Sequence, residues 1–147
     1  MRKRGLTLVE IMVSIAIISL LTVIIISSIL SHKVIYNESQ AQDTLRNISR
    51  GYDLYAAKHN GSYNETVKNL ADRSLYKPPY LKIDYTAEAY NGYIFSCVAN
   101  NAGYICSAKP EVLKETGTKS FTICTGGILK EASGETAPPC PANAGGK

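Results

Sequence analysis

The hydrophobic pattern of the chain changes character along its length, and each change marks an element. Residues 5–30 read GLTLVEIMVSIAIISLLTVIIISSIL, apolar on every side except for one acid, Glu10, near the start. A hydrocarbon core of ~30 Å needs about 20 apolar residues in helix. Ile11 to Leu30 supplies that length without a charge, Pro or Gly, so a membrane-spanning helix is expected there. From Ser31 to Lys58 the pattern becomes one-sided. Ala41, Leu45, Ile48, Tyr52 and Tyr55 recur at helical spacing, and Gln42, Asp43, Arg46, Asn47, Arg50 and Asp53 lie opposite. This is a helix that offers one face to a protein core. The stripe is too short for a coiled coil and lacks ordered flanking charges. Asn60 and Gly61 tolerate the left-handed geometry that ends helices, which predicts a helical spine of about 50 residues.

After Gly61 the composition shifts to Tyr, Asn, Lys and Pro, and Lys77-Pro78-Pro79-Tyr80 excludes regular helix or central strand. A connecting loop is predicted to Tyr90, with a short helix over Glu65 to Asp72 that turns Val67, Leu70 and Ala71 inward. Three strand-like runs follow, Tyr90 to Val98, Ala102 to Ala108 and Lys119 to Cys124, separated by turn-rich segments. They predict an antiparallel meander. If Ala99 faces Tyr104 around the first turn, Cys97 lies opposite Cys106 and Phe95 opposite Ala108, all on one face. The fold class is therefore α+β: a long amino-terminal helix packed on a small antiparallel sheet.

Charge changes this picture little. The 147 residues carry 16 Lys and Arg against 12 Asp and Glu, a net +4. Three of the basic residues are Arg2, Lys3 and Arg4, and setting them aside leaves 13 against 12, or +1. The basicity is thus largely a topology signal, since positive flanks stay cytoplasmic, and Ser31 onward is expected outside the inner membrane. Nucleic-acid binding, which needs Lys and Arg clustered on one face, is unsupported.

The short basic head ending in Gly5, followed by Leu6, Thr7, Leu8, Val9 and Glu10, resembles the type IV prepilin leader shared by pilins and type II secretion pseudopilins. The resemblance implies cleavage by a prepilin peptidase after Gly5, methylation of the new amino terminus at Leu6, and a glutamate five residues into the mature chain, here Glu10. The family's commonest motif has Phe where this chain has Leu6 and Ile where it has Val9, both apolar replacements. A secretory signal would place a small-residue cleavage site after its apolar run, and none follows Leu30. Once cut, Leu6 carries a cationic amine in an apolar setting. A stagger of parallel helices would bring Glu10 of one subunit beside the Leu6 amine of the next, a pair better read as a register device than as a large source of stability. The segments G-Y-I-F-S-C, G-Y-I-C-S-A-K-P, T-G-T-K-S-F-T-I-C and G-G-I-L are also similar to the sheet region of many pilins and pseudopilins.

Cys97, Cys106, Cys124 and Cys140 all fall in the part expected outside the cytoplasm, where disulfides persist. Three connectivities are possible. The hairpin register favours Cys97 with Cys106, which leaves Cys124 with Cys140. The second bridge would close a segment holding Gly126, Gly127, Gly134, Pro138 and Pro139, too poor in apolar residues to hold itself down, and would add roughly 3 kcal/mol. A zinc cluster is disfavoured, because there is no C-x-x-C pair and the two histidines, His32 and His59, lie elsewhere. No nucleophile elbow, metalloprotease motif or phosphate-binding glycine loop is present, so neither enzyme activity nor a cofactor is expected. Core and interface packing is the expected use of the ten tyrosines.

These readings divide the chain into a leader, 1–5, a helical spine, 6–60, whose part 6–30 spans the membrane and polymerises, and an extracytoplasmic domain, 61–147. The expected role is a structural subunit of a type IV pilus-like filament. It would be held in the inner membrane before assembly and in a surface filament or periplasmic pseudopilus after it. Its expected partners are further copies of itself, the inner membrane, the prepilin peptidase and the pilus or type II secretion assembly machinery. Two departures from the family favour a pseudopilin or minor pilin: Ser27 stands where major pilins commonly have a helix-breaking proline, and Ser19 where a glycine is common. An uncleaved single-pass anchor presenting a small disulfide-bonded binding module is the reading from a different class.

Overall fold

The structure, a computed structural model, describes residues 7–140, except for the side chains of 24–30. Gly5 and Leu6 lie outside the described residues. The order of elements is helix α1 (Leu8–Lys58), helix α2 (Val67–Leu70) and strands β1 (Tyr93–Ala99), β2 (Tyr104–Pro110), β3 (Lys119–Cys124) and β4 (Ile128–Ser133). The chain divides into two units, Met1–Lys33 and Val34–Lys147, and α1 contributes to both.

In the first unit every described side chain from Thr7 to Val23 is exposed, among them Leu8, Val9, Ile11, Met12, Ile15 and Leu20. Three of its described hydroxyl groups are satisfied within the helix: Ser14 donates to Glu10 O at 2.7 Å, Ser19 to Ile15 O at 2.7 Å and Thr22 to Ile18 O at 2.8 Å. Such back-bonding removes much of the cost of taking these groups out of water. Among the described residues no helix is long and apolar enough to cross a membrane. The expected span, Ile11 to Leu30, is described only in part, because the side chains of its last seven residues lie outside the description.

The second unit is built around the predicted face of α1. Ala41, Leu45, Ile48, Tyr52 and Tyr55 are all buried, in one core with Tyr93, Phe95, Tyr104, Cys106, Ala108, Phe121 and Ile123 of the sheet. Apolar burial drives the docking of helix on sheet. Hydrogen bonds fix its position: Asn37 Nδ2 donates to Thr116 O at 3.0 Å, Thr118 N–H to Glu38 Oε1 at 2.8 Å, and Ser49 and Tyr104 share a bond of 2.6 Å. Gly51 has a packing role, since a Cβ there would come within 2.7 Å of the Leu81 side chain. The helix stops where expected, with Asn60 and Gly61 at φ 54° and 79°.

The sheet is antiparallel in the order β1-β2-β3-β4. Its first hairpin has the expected register, Ala99 facing Tyr104, Cys97 facing Cys106 and Phe95 facing Ala108. Several details differ from expectation. Strand β2 runs Tyr104–Pro110 rather than Ala102 to Ala108, because the Ala102 and Gly103 N–H groups donate to Asn100 Oδ1 in the turn. Strand β1 begins at Tyr93 rather than Tyr90, because Asn91 and Gly92 take positive φ (51° and 74°) and make a turn. Helix α2 is a single turn rather than Glu65 to Asp72, capped by the Thr66 hydroxyl; it still buries Val67 and Leu70. A fourth strand, β4, forms within the segment expected as a disulfide-closed loop; it begins at the Ile-Leu of the G-G-I-L segment, and Leu129 packs against the core.

Strand β3 is buried on both faces. Phe121 and Ile123 face α1. On the outer face Ser120 donates to Gly134 O, and Cys124 is bonded to Cys140 in the tail. Cys97 and Cys106 form the other disulfide, their Cα atoms 4.1 Å apart, and the described cysteines include no free thiol.

Candidate functional site

The amino-terminal end of α1 is the first candidate site, and local chemistry shapes it. Thr7 precedes the helix, and its hydroxyl accepts from Glu10 N–H at 3.2 Å, while the Glu10 carboxylate accepts from Thr7 N–H and Oγ1 at 3.4 Å each. This is a capping box, in which residues at T-x-x-E spacing satisfy each other's backbone donors. The carboxylate also sits in the first turn, where the helix dipole favours a negative charge. Sequence reasoning singled out Glu10 but missed Thr7, although the T-x-x-E spacing was there to be read. The bonds to the carboxylate are long and the group is exposed, so it has capacity for a further partner. The position of Leu6 relative to it lies outside the described residues.

An exposed, all-round apolar helix with an acid at its head is a surface that water does not suit. Residues 1–30 match the family model described as the prokaryotic N-terminal methylation motif. The chain carries a prepilin-like signature. The motif is common to type IV pilins and pseudopilins and spans the basic head, Gly5, Leu6, Glu10 and the apolar run. It leaves residues 31–147 unassigned, and no curated protein and no solved structure matches the chain.

In the second unit a cluster of aromatic side chains surrounds one carboxylate, Glu65. Glu65 is the hub of the loop after α1: its carboxylate accepts from Thr66 N–H at 2.9 Å, Asn69 Nδ2 at 2.8 Å and Tyr76 OH at 3.0 Å. Burial alone would raise this carboxyl, but the three donors hold it below its usual value. Burial pushes the Tyr52 phenol up to about 12, aided by Glu65 and Tyr104, and likewise raises Tyr76, which also donates to Glu65. Both phenols therefore stay neutral donors at physiological pH. The His59 ring stacks on Tyr55 at 3.9 Å between centroids, and Tyr76 and Tyr80 pack edge-on to Tyr55. Tyr52 stacks on Tyr104 at 4.8 Å. His32 is exposed on α1, and among the described residues no cluster of His, Cys, Asp and Glu is placed to hold a metal ion.

The depressed Glu65 carboxyl has a consequence for acid stability. Its contribution is present above the unfolded value of ~4.3 and is lost as pH falls through the lower folded value. Thermal unfolding between about pH 6 and pH 3 is therefore expected to show wild type more stable than Glu65→Gln at the upper end, with the gap closing at the lower end. A gap that is independent of pH would show that the ionised carboxylate is not what holds this loop.

On the outer face of the sheet, Ala137, Pro138, Pro139 and Cys140 of the tail form one wall of a cleft of about 630 Å³ over Val98, Ile105, Ser107 and Thr122. No Asp, Glu, Lys, Arg or His lines it, and the buried Thr122 hydroxyl has no hydrogen-bond partner among the described residues.

Proposed function

We propose that the chain is a structural subunit of a type IV pilus-like filament. In this reading the leader 1–5 is removed by a prepilin peptidase after Gly5, Leu6 becomes the methylated amino terminus, and the spine 6–60 carries the domain 61–147. Residues 11–30 hold the subunit in the inner membrane until the apolar half of α1 passes into a filament of like helices. The observation that carries the reading is the methylation motif lying on a helix whose described apolar side chains from Leu8 to Val23 are all exposed. Burying them in lipid or among other copies recovers ~25 cal/mol per Å² of apolar surface. The back-bonded Ser14, Ser19 and Thr22 oppose neither environment. Glu10 is the register residue, pairing with the Leu6 amine of the neighbouring subunit. The role is structural rather than catalytic.

A pseudopilin or minor pilin is the second reading, favoured by α1 running from Leu8 to Lys58 with Ser19 and Ser27 where major pilins commonly carry helix breakers. The assembly machinery of a pilus or of type II secretion would be the partner in either case.

Intact-mass and amino-terminal peptide analysis of the membrane-extracted protein tests the reading. Wild type is expected to begin at Leu6 with one added methyl group. Gly5→Leu should insert normally and retain Met1 or Arg2 at its terminus, because a small residue is lost from the cleavage site and the span is untouched. An intact leader on wild type would favour the anchored binding module, and a terminus at Leu6 in Gly5→Leu would overturn the peptidase assignment.

A further inference from the structure

The sheet has two edges, and they are protected unequally. Strand β4 carries Lys130 and Glu131, the kind of charge with which natural edge strands resist further pairing. Strand β1, YIFSCVA, has no charge, Pro or Gly. In the β1–β2 hairpin, Asn100 N–H donates to Gly103 O at 2.8 Å and Glu111 N–H to Gly92 O at 2.9 Å. Pairing alternates along an antiparallel ladder, so between these two bonds Ile94, Ser96 and Val98 direct their backbone groups at β2. Tyr93, Phe95, Cys97 and Ala99 direct theirs away from it. Those of Tyr93 are taken by Tyr90, at 3.1 and 2.8 Å. The outward N–H and C=O groups of Phe95, Cys97 and Ala99 have no partner among the described residues.

These groups do not open onto flat surface. A groove of about 680 Å³ runs along β1 from Phe95 to Ala99, and its other wall is the segment Asn64 to Lys68. Two charged side chains line it. The Glu65 carboxylate is engaged by its three donors, whereas the Lys68 ammonium forms no close ion pair among the described residues and is offset only at longer range by the exposed Asp72 carboxylate. We propose that the β1 edge and the Asn64–Lys68 wall form a docking groove for an extended peptide strand of a partner protein, one that carries a carboxylate opposite Lys68. The open ladder asks for donors and acceptors at two-residue period, which an extended backbone supplies, and Lys68 sets the sign of the charge. The groove lies in the unit Val34–Lys147, so its use does not depend on cleavage or on filament assembly.

The test is hydrogen exchange on the full chain in neutral phosphatidylcholine nanodiscs, with a capped peptide of sequence Val-Thr-Glu-Thr-Val as probe and the same peptide with Lys in place of Glu as control. At saturation the acidic peptide is expected to slow exchange at the Cys97 and Ala99 amides about tenfold or more and to leave Ser96 and Val98, already in the ladder, unchanged. Ala99→Pro removes one outward donor without touching the β2 ladder and should weaken binding about tenfold. Lys68→Glu should weaken the acidic peptide and reverse the preference between the two. No slowing at millimolar peptide, or equal slowing by both peptides that ignores Lys68→Glu, overturns the proposal. So does protection of Cys97 and Ala99 without peptide, which would assign the edge to a second copy if it rises with protein concentration and to the chain's own residues if it does not.

Discussion

Replacing Glu10 by alanine is expected to leave the membrane level of the subunit unchanged and to cut filament yield by two orders of magnitude or more. Insertion is not impaired, because removing a charge from an apolar segment favours lipid. Assembly fails on the proposed reading because each docked subunit would leave a Leu6 ammonium unpaired among apolar helices. Broken buried pairs cost about 3 to 5 kcal/mol, and ~1.4 kcal/mol is a factor of ten. The capping box adds a second effect that must be separated from the first. Glu10→Ala also strips Thr7 of its partner, and cap losses run about 0.5–2 kcal/mol, spent on fraying the first turn. Thr7→Val is the control, since it removes the hydroxyl but keeps the carboxylate, and a severalfold loss at most is expected from it. Filament sheared from cells, measured beside membrane-bound subunit, distinguishes the outcomes. Wild-type yield from Glu10→Ala would remove this acid from the register role, and equal losses in both variants would transfer the effect to helix capping.

The largest effect on stability is expected at Leu45→Ala. Leu45 is wholly buried at the centre of the helix face that meets the sheet. Truncating such a side chain costs about 2–5 kcal/mol, the transfer term plus the cavity left behind. Against a total of about 5–15 kcal/mol for a domain, that is a large fraction. Leu54→Ala on the same helix is the comparator: Leu54 is 56% exposed, and the change should stay within ~0.5 kcal/mol. Denaturant unfolding of the full chain should move the midpoint for Leu45→Ala with little change in slope. Equal costs at the two positions would mean that the face does not carry the core.

Patterns with a short period are legible in the sequence alone. The 3.6-residue recurrence of Ala41, Leu45, Ile48, Tyr52 and Tyr55 placed one face of α1 in the core, and Asn60-Gly61 placed its end, because both depend on neighbours a few residues away. The β1–β2 register was legible for the same reason, as a turn at residues 100–103 leaves one pairing that puts Phe95, Cys97, Cys106 and Ala108 on one face. The Thr7–Glu10 box is equally local, a T-x-x-E spacing at the head of an apolar run.

Other features had no local signal. Beyond the short G-G-I-L resemblance, nothing in ILKEAS itself marks a strand, and β4 forms because β3 supplies an edge to pair with and Leu129 reaches the core. Asn37 and Ser49 lie one turn from Ala41 and Leu45, at or beside the apolar stripe, but their polarity argues for the surface; both are buried because their partners, Thr116 O and Tyr104 OH, lie 79 and 55 residues away. Position along the chain determined which faces would be apolar, where the helix would stop and how the first hairpin would pair. Tertiary structure alone decided which polar groups could be buried and which sheet edge was left open, because a buried hydrogen bond needs a partner that only the completed fold brings within reach.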